Sequence, residues 1–506
     1  MTAANSTALN PGGAKSTILP ASPIAFEPGG PPAPYFATAI PDSPRQPRIL
    51  LLSYHFPPSP AAGALRWQKL AGLVAERGWG LDVVALDPTQ LNRAEQDRYN
   101  DLPPGTRLFG VREDKLLLER LEHAAWRVLV RLRSVGRRGK PAPARAATTV
   151  PSPVAPTLTG DQLTWRLWHP DGWRRAYYAW IKFAQARAWA RRAASVACAV
   201  RQPGVHQVII SCGPPHLTHE AGRLVSEATG LPLVVDMRDP WTLQHRFPEH
   251  EASPLQFRLA ATTERRIIDR ASLVVMNTPP AAEMMTRSYP TKRIVWVLNG
   301  YDEEALPPIP PRSRFVIAYA GSIYLDRDPR LIFRAAARVV RELRLTPDQF
   351  GFEFIGSADN FNGRTPVEEL AAQEGLGGGY VRTGGERPRK EAMAFLAGAS
   401  LLLSLPQDAT YAIPSKIYEY MRFPAWLLAL TEKDSATDRI LAGTGADVLR
   451  PDDVDGLARV LRRCVEAFAA GEHPSPIARD SRLSRRHQAD RLLQELAGIT
   501  ARAGTR

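Results

Sequence analysis

Arg48-Ile49-Leu50-Leu51-Leu52 runs into Ser53-Tyr54-His55-Phe56-Pro57-Pro58-Ser59-Pro60-Ala61-Ala62-Gly63, and then into Leu65, Leu70, Leu73 and Val74. Four consecutive aliphatic residues without alternation suit a strand covered on both faces, as in a parallel sheet. The Pro- and Ala-rich loop 56–63 ends that strand, and apolar residues three to five apart mark the helix after it. Strand then helix is half of a βαβ unit, and the same rhythm continues outward. Strands are expected over 81–86, 208–211, 233–236, 273–276 and 294–298, with helices from about 216 and over about 254–270.

Residues 305–313, Ala-Leu-Pro-Pro-Ile-Pro-Pro-Arg-Ser, hold four prolines. Proline fixes φ and favours extended backbone, so this reads as a semi-rigid linker. Beyond it the rhythm restarts, with strands over 315–320, 352–355, 380–382, 401–405 and 426–430. Helices alternate with them over 328–343, 366–374, 388–397, 415–422, 435–442 and 454–469. Two such runs predict an α/β protein with two doubly wound sheets. Ligands of such sheets bind at the carboxyl ends of the strands, so two facing domains place a cleft between them. The expected organisation is a tail (1–45), a first domain (46–304) with a basic helical insertion (88–200), the linker (305–313), a second domain (314–480) and a C-terminal helix or tail (481–506).

The 506 residues are 44% hydrophobic and 23% charged, enough apolar surface to exclude a chain disordered throughout. No run approaches the ~20 apolar residues of a spanning helix. Cys198, Cys212 and Cys464 are too few and too scattered for a disulfide scaffold or a CxxC metal site. Residues 1–45 lack a basic segment followed by an apolar one, so no secretory signal is read and a cytoplasmic location is expected.

The net charge of +14 is concentrated. Residues 112–145 carry ten basic and four acidic side chains, and residues 174–192 six basic and none acidic. In the first stretch Leu118, Leu121, Ala125, Val128 and Leu132 fall on one helical face, with Arg120, Arg127, Arg131 and Arg133 largely off it. Such a helix either lies on an anionic membrane surface or packs on its own domain with a solvated basic face. The second stretch sits among Trp165, Trp168, Trp173, Tyr177, Tyr178, Trp180 and Trp189. Without an RRM, KH or helix-turn-helix pattern, an interfacial belt or core packing is expected and nucleic acid is not.

Polar or glycine-bearing loops at strand ends are the candidate sites. The loop ending at Gly63 delivers a helix N-terminus, which favours an anion or is simply a turn. His216 and His219 follow the rigid Gly213-Pro214-Pro215 turn. A cleft-facing histidine and a structural one are both open readings, and no third metal ligand accompanies them. In Asp236-Met237-Arg238-Asp239, two carboxylates bracket an arginine, suiting either a fixed network or contact with hydroxyl groups. Gly321 and Ser322 end a strand where a ligand can approach the backbone. Ser415 reads as an N-cap. Lys416 follows in the first turn, against the helix dipole, which implies an anionic partner such as a diphosphate. Glu419, one turn on, is placed to accept ribose hydroxyls.

These pieces together resemble the GT-B glycosyltransferases of the family 4 type, retaining enzymes that use nucleotide-sugar donors. The matching segments are 53–58 with Gly63 and Arg66, Arg77-Gly78, Gly-Pro-Pro-His (213–216), Arg-Asp-Pro-Trp (238–241), Asn-Gly-Tyr-Asp (299–302) and Pro-Ser-Lys-Ile-Tyr-Glu-Tyr (414–420). The resemblance implies two Rossmann-like domains, with the nucleotide sugar in the second. Gly321, Ser322, Ser415, Lys416 and Glu419 would hold it, approached by Gly63 from the first domain. His216, His219, Arg238 and Asp239 would face a lipid-linked or glycan acceptor. His216, Lys416 and Arg327 would serve catalysis with no metal or cofactor, and peripheral docking on the inner face of the cell membrane is a further expectation. Three departures accompany the match: Tyr411 stands where the family places a second glutamate, Ser322-Ile323-Tyr324-Leu325-Asp326-Arg327 lacks the usual Arg/Lys pair, and Ala61-Ala62-Gly63 replaces a glycine pair. A nucleotide-sugar epimerase and an inactive binding subunit on the same fold are the rival readings.

Overall fold

The computed structural model describes residues 32–38, 46–116, 157–159, 170–243, 246–248, 253–323, 327–361, 365–405, 410–478 and 481–504. The first half forms β1 (Phe36–Ala37), β2 (Arg48–Ser53), β3 (Gly80–Leu86), β4 (Thr106–Val111), β5 (Thr157–Thr159), β6 (His206–Gly213), β7 (Leu233–Met237), β8 (Arg246–Pro248), β9 (Leu273–Met276) and β10 (Ile294–Trp296). Eight of these make one sheet in the order β1-β4-β3-β2-β6-β7-β9-β10, while β5 and β8 pair as a separate ribbon. Only the two-residue edge strand β1 runs antiparallel in the large sheet. Every residue of β2 is buried, as its unbroken aliphatic run requires.

The second half contributes β11 (Phe315–Ala320), β12 (Phe350–Ile355), a short hairpin β13 (Asn360–Phe361) with β14 (Thr365–Pro366), β15 (Val381–Thr383), β16 (Leu401–Ser404), β17 (Trp426–Leu430) and β18 (Asp447–Leu449). Its sheet is wholly parallel, in the order β15-β12-β11-β16-β17-β18. Strand order reverses at β2/β6 in one sheet and β11/β16 in the other, the switch points where doubly wound sheets open a crevice. This is the GT-B architecture of two Rossmann-like domains. The segment between Asp302 and Arg312 has no regular structure.

Sequence patterning overlooked β4 and the helix Pro279–Ser288. Arg107 and Gly110 break the apolar run of the one, and the other is short and proline-led. The expected helix at 118–132 lies outside the described residues. Helix Pro170–Val200 is present and divided along its length. Trp189 is buried, its Nε1 donating to the Val111 carbonyl at 3.1 Å, whereas Trp173 is 74% exposed and Tyr178 and Trp180 are also exposed.

Two features bind the first domain. Asp82, fully buried, accepts from Arg48 at 2.5 Å, from Arg107 and from His206 at 2.8 Å, joining β2, β3, β4 and β6. Helix Arg485–Gly504 returns from the second domain, and its Ala489, Leu492 and Leu496 join Ile49, Leu51 and Trp67 in one core.

Candidate active site

At the end of β11 the chain turns through Gly321 at φ 135°, a conformation L side chains rarely adopt. The Gly321 amide donates to the Ile355 carbonyl at 2.9 Å, and Gly356 closes on it so tightly that a Cβ there would stand 2.7 Å from the Gly321 oxygen. Two tyrosines fix this loop. Tyr319 Oη donates to the Ser322 carbonyl at 2.8 Å, and Tyr420 Oη accepts from the Ala320 amide at 2.9 Å.

Lys416 reaches the loop from helix Ser415–Tyr420. Its Nζ lies 3.8 Å from the centre of the Tyr319 ring and 2.7 Å from where a Gly321 Cβ would be, so glycine is what admits it. That nitrogen is buried and, among the described residues, has no hydrogen-bond acceptor. Burial pushes its pKa well below the usual lysine value, the nearby Arg327 charge adds to the fall, and Glu419 opposes it. Arg327 Nη1 donates to the Ser322 carbonyl at 3.4 Å. Gly321, Ser322, Arg327, Lys416 and Glu419 are therefore neighbours.

Ser415 departs from its expected role. The cap position is Pro414, and Ser415 is the first helical residue, with no capping hydrogen bond. An X-Pro-Ser step holds Pro414 at φ −55°, ψ 134° and moves the boundary one residue back. Glu419 accepts from Arg389 at 2.5 Å, and Arg389 also stands 3.8 Å from Asp302. Asp302 in turn meets Arg485 at 3.1 Å and Lys69 at 3.5 Å, linking the site to the interdomain segment and the first domain.

Across from these, the ends of β2, β6 and β7 bring Gly63, the Gly213 turn and Arg238 together. Arg238 donates to the carbonyls of Gly213 at 3.1 Å and Pro214 at 2.6 Å, and a Cβ on Gly63 would fall 2.7 Å from its guanidinium. Arg238 thus braces the turn that presents His216. Asp236 belongs to a buried network, receiving both Arg66 (2.9 and 3.0 Å) and the Trp67 indole (2.8 Å). Burial raises the Asp239 pKa, against the pull of Arg238 and a hydrogen bond from Asn277.

His216 stacks on Trp241 with ring centres 5.2 Å apart, and burial, His219 and Arg238 hold its pKa well below the usual imidazole value. It is a neutral imidazole at pH 7. It lines a cavity of about 390 Å³ walled by Tyr54, Trp189 and Trp241, with Glu113, Lys182, Gln185 and Gln256 as polar groups. His219 corrects the expectation of an acceptor contact. It is fully buried beneath Gly213 and bonded to Ser211 Oγ at 2.9 Å, because the helix starts at Thr218 and turns this ring inward. Among the described residues no three His, Cys, Asp or Glu side chains gather as metal ligands.

Sequence reasoning missed Tyr319, Gly356 and Arg389. The rule that found Gly321, glycine at a strand end, applies equally to Gly356. Tyr319 gave no signal, since an aromatic in a strand is ordinarily core. Tyr411 lies at the domain junction, its carbonyl accepting from Thr278 Oγ1 at 2.5 Å while its ring packs on the first domain's core.

No family model matches the sequence, and no curated protein matches it. Solved structures do. Sucrose-phosphate synthase from Thermosynechococcus elongatus is 13% identical at TM-score 0.52, covering 91% of this chain and 98% of that one. A UDP-forming α,α-trehalose-phosphate synthase from Burkholderia xenovorans, solved with glucose-6-phosphate, is 13% identical at TM-score 0.53, covering 89% and 100%. TarM is 9% identical at TM-score 0.54, covering 91% and 100%. At such identities the likeness is one of fold, and the fold is that of GT-B glycosyltransferases.

Proposed function

We propose that this chain is a retaining glycosyltransferase that moves a sugar from a nucleoside-diphosphate donor to a lipid-linked or polysaccharide acceptor in envelope or surface-glycan synthesis. The observation that carries the proposal is the Lys416 ammonium, enclosed at the glycine turn of the second sheet with no acceptor among the described residues. A diphosphate lying along Gly321 and Ser322 supplies the missing anion. Charge that develops on the departing diphosphate then meets a fixed cation at Lys416, with Arg327 beside it. Glu419 takes the ribose hydroxyls once Arg389 yields its place. The acceptor occupies the aromatic cavity, where neutral His216 hydrogen-bonds a hydroxyl without competing for the donor's charge. The exposed Trp173, Tyr178 and Trp180, interspersed with Arg174 and Lys182, suit docking on an anionic membrane surface.

Calorimetric titration with UDP-, GDP-, ADP- and dTDP-sugars tests the donor site. One of them binds, and Glu419→Ala weakens it at least ~10-fold, about 1.4 kcal/mol. Product analysis with donor alone separates transfer from epimerisation. The Arg389–Glu419 pair favours one rival, a binding subunit whose ribose site is closed, and absence of binding by every nucleotide sugar selects that rival.

A further inference from the structure

A second cavity, about 440 Å³, lies where three parts of the chain meet. The edge of the first sheet supplies Trp296, helix Ala436–Leu441 of the second domain supplies Arg439 and Ile440, and the C-terminal segment supplies Arg482 and Arg491. None of its lining residues belongs to the aromatic cavity or the Lys416 site. Among the described residues its lining holds three arginines and His487 but no carboxylate. Arg439 shares its charge with Glu283 at 3.0 Å, from outside the lining. The Arg491 guanidinium sits 4.2 Å from the centre of the Trp296 ring, and burial lowers its pKa, so this cation is held partly out of water. Gln488 is buried and fixes two walls at once, accepting from the Leu298 amide at 2.8 Å and donating to the Arg482 carbonyl at 2.5 Å.

Arginine forks match phosphate oxygens, and the Trp296, Ile440, Ile477 and Leu483 side chains offer an apolar wall beside them. A pocket with apolar walls and a few placed polar groups is the usual form of a small-molecule site. We propose that this cavity is an effector site for a small organic phosphate. The phosphate lies among Arg439, Arg482 and Arg491, and the organic body rests against Trp296. Such a ligand touches both domains and the returning helix together, so its binding favours the arrangement of domains seen here.

The full-length protein is titrated with glucose 6-phosphate, phenyl phosphate and inorganic phosphate, and with glucose and phenol as phosphate-free controls. At least one organic phosphate is expected to bind more tightly than inorganic phosphate and to raise the thermal midpoint, while the controls do not bind. Arg482→Ser, a change at an exposed side chain with folding checked by circular dichroism, weakens that binding at least ~10-fold, and Trp296→Ala removes the advantage over inorganic phosphate. Lys416→Met leaves it unchanged, which separates this site from the phosphate-binding part of the donor site. No binding at millimolar concentration, equal binding of the controls, or affinity indifferent to Arg482→Ser overturns the proposal.

Discussion

An ammonium group enclosed without an acceptor lowers the stability of the folded chain, because its charged form has left water with nothing in exchange. Lys416 is in that position among the described residues, with the Tyr319 ring face against it. Its lowered pKa means the folded state holds the proton less well than the unfolded state does. The penalty is therefore full below the lowered pKa, begins to ease as pH rises through it, and is gone only above the ordinary lysine value of the unfolded chain. Lys416→Met is expected to raise the thermal midpoint of the ligand-free protein and to weaken nucleotide-sugar binding at least ~10-fold. Scanning calorimetry and titration read the two effects, and a lowered midpoint would refute the account. By the same linkage, donor affinity falls as pH rises, since binding an anion beside Lys416 takes up a proton. Titrations in buffers of differing ionisation heat detect that uptake.

At the scale of elements, the Asp82 knot holds four strands by one carboxylate. Burial alone would raise its pKa, yet hydrogen bonds from Arg107, His206 and Arg48 bring it far below the usual range. A depressed carboxylate contributes stability that is complete above the unfolded pKa and is lost as pH falls toward the folded one. Asp82→Ala leaves Arg48 buried without its counter-charge, held only by the Leu81 and Gly105 carbonyls, and a loss of ~3–5 kcal/mol by chemical denaturation is expected. The knot was not legible in the sequence, because its members lie on separate strands and meet only through sheet register. What was legible followed local periodicity: the aliphatic runs of β2, β6, β7, β9, β11 and β17, and helices such as Pro254–Arg270 and Val454–Ala469. The Lys416–Glu419 spacing was legible for the same reason, one helical turn. That Arg389 would cover Glu419, or that His219 would turn inward, depends on packing between elements distant in sequence.

The whole molecule is held by the return of helix Arg485–Gly504 to the first domain. Leu492 and Leu496 lie in the same core as Trp67, so this helix is a structural part of a domain whose other elements precede the Asp302–Arg312 segment. Leu496→Ala is expected to cost ~2–5 kcal/mol. Hydrogen exchange is expected to quicken in β2 and helix Ala62–Ala75, while β11 and β12 keep their protection. Loss of protection confined to the second domain would contradict this packing.

During synthesis the amino-terminal lobe emerges first, yet Ile49 and Trp67 lack part of their covering until residue 499 has cleared the ribosome. About 450 further residues must therefore be translated after Ile49 before that lobe can set, leaving its apolar seam open to chaperones. A chain cut short near Arg485 would injure the first sheet, not the second beside which the break falls in sequence.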